Sequence, residues 1–459
     1  MRFLGIMFKN ILALVLIFVL QIQFWGQQLN TSPFSRYGVG EINDILASSY
    51  LGFSNTAVAF SDPQFINVSN PASYSRMRKH NPLFDVSISG KTANYSSDYN
   101  GNLNSSSGTN LGLNNMYLGL PVKERWGLVL GVNTFSSQGY EVSSASSLDT
   151  SQVSYLFKGD GTVNRLFIGN GFDLINKGDS SILSVGANAS YMFGNLERLS
   201  SVIFNIPNAY NSRVQYRTSI SGWMFDGGIQ YMKRFRTVTK NKYYVRLGAH
   251  YTLGSDWSTT NDYYAYTFTY NFGIQEVPKD TLSWSENQSG QISVPEKLML
   301  GFGFGKNKQD KTSWDLAVQY ELRDWSNFEE NNDIESWSAL PLGNYNRMSF
   351  GFRWTPNLDF ANSNKSILSK STYSIGGHQT TSFILIDQNS LENYGINFGL
   401  TIPLLSSRSF STMNLGFEFG KLGNINNNNI EENYINFTIG FTMAPDTRYD
   451  RWFRKRQYD

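Results

Sequence analysis

Large apolar residues recur at every second position through most of this chain, and nothing else in the sequence constrains its fold as tightly. Within 433–443, Ile435, Phe437, Ile439, Phe441 and Met443 alternate with Tyr434, Asn436, Thr438, Gly440 and Thr442. A strand with that pattern turns one face to something apolar. Upstream, Met413–Phe419, Tyr394–Ile402, Met348–Trp354 and Trp314–Leu322 repeat it. Further runs begin near Leu83, Leu111, Trp126, Arg165, Leu183, Trp223, Tyr243 and Leu298, with a weaker one near Tyr373. These runs predict 14 strands of period two, with almost no helical periodicity.

The connections sort by length. Short turns are expected near 121–125, 176–180, 237–241, 306–311 and 404–408. Long polar loops are expected at 97–110, 137–160, 196–212, 255–292, 326–345, 384–392 and 424–432. The connection at 357–370 is longer than its class. Short turns on one rim and long loops on the other are the habit of a barrel in an outer membrane. The second strand face is rich in Gly, Asn and Ser with scattered charges, which suits a crowded or watery lumen. A solvated sandwich face would carry Lys, Glu and Thr instead. Charged residues make up only 16% of the chain, below the usual quarter. Trp126, Trp314 and Trp354 all fall beside one rim, as an interfacial aromatic belt requires. The sequence therefore predicts an all-β fold, a transmembrane antiparallel β-barrel of 14 strands over 83–443, with outer-membrane lipid as its surroundings.

Residues 1–26 read as a signal peptide, with Arg2 and Lys9 ahead of the apolar run Ile11–Phe24. No other stretch approaches the about 18 apolar residues that a spanning helix needs. An even strand number then leaves both mature termini in the periplasm. The formal net charge of +2 gives no field for nucleic acid. There is no Cys, hence no disulfide or thiolate metal site. His80, His250 and His378 are the only histidines and none has a partner at ligand spacing, so no metal or other cofactor is expected. No nucleophile elbow marks a hydrolase, and no enzyme is expected. Residues 444–459 form a basic, aromatic tail ending Arg451-Trp452-Phe453-Arg454-Lys455-Arg456, suited to an anionic leaflet, a periplasmic or outer-membrane protein partner, or solvent.

Residues 27–82 do not alternate. Their Gly, Ser, Asn and Pro content predicts turns and short helical pieces, and their modest apolar content (Phe53, Val58, Phe60, Phe65, Ile66) favours a plug folded inside the barrel. The stretch Ala57–Ala72, with Ser69-Asn70-Pro71-Ala72 just ahead of the first strand, resembles the hatch of the FadL/TodX-like outer-membrane transport family. That resemblance implies a 14-stranded barrel with an N-terminal hatch, in which Asn55, Asp62, Ser69, Asn70, Pro71 and Ala72 are hatch residues. It implies inward movement of fatty-acid-like hydrophobic compounds. Some relatives serve instead as accessory parts of outer-membrane protein secretion or assembly machines, and both readings stay open.

The lumen departs from the family. By parity Asp85, Arg165, Asp173, Asp226, Arg246, His250, Asp315, Glu321, Arg323, Arg347, Arg353 and Glu418 face inward. A fatty-acid tunnel needs a continuous apolar lining, which this set does not supply. Opposite charges are expected to pair with each other and with the hatch. Arg246, His250, Glu321, Arg323, Arg347 and Arg353 are the candidate lumen or ligand-binding residues, with Arg347 and Arg353 able to hold a carboxylate bidentately.

Overall fold

The computed structural model describes residues 32–446 except 44–46, 100, 149–150, 178–179, 205, 207–208, 237–241, 272–274, 308–311, 333–341, 359–365, 405–410 and 426–429. The expected signal peptide, and the tail beyond residue 446, lie outside the described residues.

A two-residue strand, β1 (Glu41–Ile42), comes first. It is followed by β2 (Leu83–Tyr99), β3 (Asn102–Lys123), β4 (Trp126–Leu148), β5 (Ser151–Asn176), β6 (Ser181–Phe204), β7 (Asn211–Arg236) and β8 (Lys242–Thr252). Then come β9 (Ser255–Asn271), β10 (Gln275–Val294), β11 (Lys297–Asn307), β12 (Ser313–Asp324) and β13 (Glu329–Asn332). The chain ends with β14 (Asn344–Thr355), β15 (Thr372–Ile386), β16 (Asn389–Pro403), β17 (Thr412–Leu422) and β18 (Ile430–Met443). Fourteen of them, β2–β8, β11, β12 and β14–β18, form one antiparallel ring. Pairing of β18 with β2, from Ile430↔Ser97 to Met443↔Phe84, closes it. Closure leaves no edge to satisfy in lipid.

Alternation now has a physical cause. Along β12, Leu316, Val318 and Tyr320 are exposed on the outer wall, while Asp315, Ala317, Gln319 and Glu321 are buried inside. Along β18, Ile435, Ile439 and Met443 point out, while Tyr434, Thr438 and Thr442 are buried. The apolar partner of these faces is lipid. The Trp126, Trp314 and Trp354 rings sit at the short-turn rim, stacked on Phe172 at 5.5 Å, edge-on to Phe304 at 5.6 Å and tilted against Tyr373 at 6.1 Å respectively.

The long polar loops expected at 97–110, 137–160, 196–212 and 255–292 are largely strand. The β2–β3 ladder runs to Tyr99↔Asn102 and β4–β5 to Leu148↔Ser151. Their side chains carry no lipid-facing face, so the apolar signal stops while the backbone ladder continues. The β9–β10 hairpin belongs to this extension. The lower part of β7 pairs with β8 and its upper part with β9, so β8 and β9 form one line broken at Leu253–Gly254. Strands β10 and β11 break likewise at Pro295–Glu296. Residues 290–293 of β10 also pair with β13.

The described residues between 32 and 77 pack inside the ring, and Arg78, Lys79 and His80 are exposed. Three 3-10 helices, Pro33–Arg36, Ser48–Phe53 and Pro71–Arg76, connect through turns. Ser32 donates to Glu432, near the β17–β18 connection, whereas Leu83 starts β2 at the opposite rim beside Met443. The segment thus runs the length of the barrel. The mature N terminus, expected in the periplasm, lies outside the described residues, and Ser32, the first described residue, sits at the extended-strand end.

Candidate functional site in the barrel lumen

The interior segment is built to touch the wall. Asn70 caps the Pro71–Arg76 helix: its Oδ1 accepts from Ala72 N at 3.1 Å, and Pro71 occupies the first helical turn, where its missing N–H costs nothing. The Asn70 Nδ2 donates to Val58 O within the segment at 2.8 Å and to the wall carbonyls of Ile229 and Ala249 at 3.2 Å. Asn67 donates to the carbonyls of Ala57 and Phe60, both at 2.7 Å. Gln319 of β12 accepts from Val58 N at 3.0 Å, and Gln230 of β7 donates to the Val58 and Phe60 carbonyls at 2.9 and 3.0 Å. The segment's backbone groups thus find partners where water is excluded.

Small wall residues make this approach possible. A Cβ on Gly228 would stand 2.0 Å from Asn70 Oδ1, and one on Gly186 would stand 2.4 Å from Pro71 backbone. The small face of the strands is therefore a bed for the segment. Of its expected residues, Asn70, Pro71 and Ala72 are buried against β5, β6 and β7, and Ser69 and Asn55 are buried above them. Asp62 is half-buried toward the short-turn rim, where Arg353 reaches it at 3.7 Å.

The inward charges form three groups. At the short-turn rim, Arg353 pairs with Asp315 at 2.9 Å and lies over the segment's Phe60 and Phe53 rings, at 5.5 and 5.7 Å. Arg246 lies over Phe60 at 4.7 Å and Tyr244 at 4.5 Å, so the Phe60 ring meets two guanidiniums. In the middle, Asp226 accepts from Arg165 at 2.8 Å and from Asn188 at 2.6 Å, with His250 Nε2 at 2.9 Å. Glu321 pairs with Arg323 at 2.5 Å on the same strand. Toward the extended end, Lys91 bridges Glu41 of the segment at 2.8 Å and Glu432 of β18 at 2.6 Å. Arg76 of the segment and Asp173 complete the short-turn group, pairing at 3.1 Å.

Among the described residues, cavities remain between these groups. One, about 60 Å³, is lined by Arg165, Lys297, Glu321, Arg323, Arg347 and Trp325 among others. A second, about 140 Å³, is lined by Asn55, Lys91, Arg347, His378, Glu418 and Tyr434 among others. Arg347 and Asn55 stand on the wall common to both. The structure therefore brings Arg323, Glu321 and Arg347 to one cavity, while Arg246 and Arg353 sit apart from it, engaged with the segment and Asp315. His250 is bound into the Asp226 group. Lys91, Gln230 and Gln319 were not singled out from sequence, and Glu432, read there with Glu431 as part of a solvated loop, is fully buried. Parity carried a signal for two of them, because Lys91 shares its face with Asp85 and Glu432 with Tyr434.

The lumen of this barrel, with its buried N-terminal segment, can be set beside known proteins. A family model described as BamG matches residues 7–459. The chain belongs to the BamG family. Among solved structures, this BamG-family chain is similar to a FadL homologue of Pseudomonas aeruginosa, with a TM-score of 0.52, 10% identity, and coverage of 87% of this chain and 98% of that one. The toluene transporter TbuX of Ralstonia pickettii gives a TM-score of 0.51 at 12% identity, with the same coverage. The CymD monoaromatic hydrocarbon channel gives 0.50 at 14%, covering 88% and 98%. The BamG-family chain has the FadL/TodX-like barrel fold that the hatch resemblance implied, and it is an outer-membrane protein. No curated protein matches it in sequence.

Proposed function

We propose that this BamG-family barrel is a non-transporting accessory subunit of an outer-membrane protein assembly or secretion complex. One observation supports the reading: the interior segment packs through the lumen, and inward charges that would line a conduit pair with it and with one another. Arg353 meets Asp315 and Asp62, Lys91 meets Glu41 and Glu432, and Arg165 meets Asp226. An apolar solute entering there would have to displace paired charges, and a charge left unpaired in a dry interior costs several kcal/mol, of order 3–5. The segment acts as a stopper whose seal is polar at both ends. The match to the BamG family model points the same way.

Transport of a hydrophobic compound is the second reading, favoured by a feature of the wall. Where β8/β9 and β10/β11 break, the inner cavity of about 60 Å³ and an outer one of about 350 Å³ share Val294 and Pro295. A solute leaving sideways would pass there.

Depletion of the protein in cells, scored in parallel for toluene or oleate uptake and for heat-modifiable levels of other outer-membrane barrels, separates the two. An accessory subunit leaves uptake unchanged and lowers the other barrels. The reverse pattern establishes transport and overturns the first reading. In planar bilayers the intact protein is expected not to conduct, and deletion of 47–77 is expected to conduct steadily. An intact protein conducting like an open porin defeats the stopper.

A further inference from the structure

Above the lipid-facing wall, the outward face of the extended sheet carries a second aromatic row that lipid tails do not explain. On β7 the exposed apolar residues end at Phe225 and Trp223, whose ring meets Tyr191 of β6 at 5.3 Å. Polar positions follow on that face: Ser221, Ser219, Arg217 and Gln215. Gln215 lies eight residues beyond Trp223, which at about 3.3 Å per residue and an ordinary barrel tilt is roughly 20 Å above the apolar band.

Aromatics return at that height. Gln215 pairs across to Tyr264, and Tyr264 to Trp284. The neighbouring Tyr263 packs on Tyr216 at 4.9 Å, and Tyr216 lines an inner pocket with Gly38, so Tyr264 and Trp284 point outward. Their rings meet edge-on at 4.4 Å, and Trp284 is 61% exposed. Hydrogen-bonding side chains surround them. Tyr264 donates to Glu286 at 3.1 Å, Gln215 donates to Glu197 at 2.5 Å, and Arg217 stands 3.5 Å from Glu197 and opposite Asp262.

We propose that this row binds the saccharide headgroups of the outer-leaflet glycolipids around the barrel. The face is continuous with the lipid-facing wall, so it meets whatever stands above that same lipid in the membrane plane. Carbon–hydrogen faces of pyranose rings stack on indole and phenol rings as other apolar planes do. Planar amides, carboxylates and guanidiniums beside the rings meet sugar hydroxyls and acidic sugars with directional bonds. The inference is independent of whether the lumen transports.

The test is native mass spectrometry of the detergent-extracted full-length protein with two probes: rough lipopolysaccharide, carrying core sugars, and deep-rough lipopolysaccharide, carrying only lipid A and its acidic inner sugars. The wild type is expected to prefer the rough form about tenfold. Trp284→Ala and Tyr264→Ala are expected to erase the preference, and Trp284→Phe to retain most of it. Each variant is first shown to keep its heat-dependent gel shift, which separates lost binding from lost folding. A wild type without preference, or alanine variants that keep it, overturns the proposal. So does a photo-crosslinker at 284 that captures protein and no glycolipid in intact cells.

Discussion

Asn70 shows what one side chain holds together. Its amide joins a helix cap, a segment carbonyl and two wall carbonyls, in a space that Gly228 leaves open. Replacing Asn70 by Ala strands those buried groups and is expected to lower thermal stability by about 1–3 kcal/mol. Ser69→Ala, beside it, is expected to change stability by a few tenths, and differential scanning calorimetry distinguishes the two. The second residue-scale prediction concerns Arg353. Arg353→Met removes the partner of Asp315 and Asp62 and is expected to cost about 3–5 kcal/mol. Adding Asp315→Asn should recover part of the loss, because the stranded carboxylate goes with it. Full additivity of the two in urea unfolding would refute the pairing. The Ser69-Asn70-Pro71-Ala72 motif was legible in sequence through its resemblance to a hatch, and the structure gives its local role, Asn70 capping the helix that Pro71 begins. Gln230 and Gln319 were not legible, because polarity at a strand position says which way a residue faces and not what it meets.

At the scale of elements, the strands in the lipid zone were legible and their extensions were not. Period two appears in a sequence only where the two faces meet different media. Above the membrane both faces of β3 and much of β10 carry Ser, Thr, Asn, Gln and charged residues, so 97–110 and much of 255–292 read as loops although they are laddered. Tyr264, Tyr266, Phe268 and Tyr270 of β9 did carry an alternating signal. Part of that extension is held by Arg213 of β7 and Glu276 of β10, whose guanidinium and carboxylate pair at 2.5 and 2.8 Å. The Arg213 hydrogen bonds hold the Glu276 carboxyl below its ordinary value. A depressed carboxyl pKa adds stability above the unfolded value, and that stability is lost as pH falls through the folded value. Hydrogen exchange at 266–278, corrected for the intrinsic rate, should therefore show faster local opening below about pH 4 than at pH 7. The effect is modest because the pair is solvent-facing. Glu276→Gln should remove most of the pH dependence, and an unchanged profile in that variant would assign it to other groups.

For the whole molecule, the barrel ring and the filled lumen make orientation testable. Because the chain has no Cys, single substitutions report cleanly. Tyr270→Cys, at the tip of the β9–β10 extension, should react with an impermeant maleimide on intact cells. Glu124→Cys, in the turn between β3 and β4, should react only after the outer membrane is opened. The inverse labelling would turn the barrel over.

The sequence by itself determined the ring of strands, their facing and the existence of a non-alternating segment ahead of them. Each is a local consequence of chain periodicity against lipid, and local periodicity is written residue by residue. Only the tertiary structure decided which groups meet in the lumen. Glu432 meets Ser32 and Lys91, and Val58 meets Gln230 and Gln319, across hundreds of residues of chain. Such pairs depend on barrel closure and strand register, which bring distant positions to one height inside the ring. Parity predicts that a charge points inward, but the partner that neutralises it is set by that height, and no stretch of sequence records it.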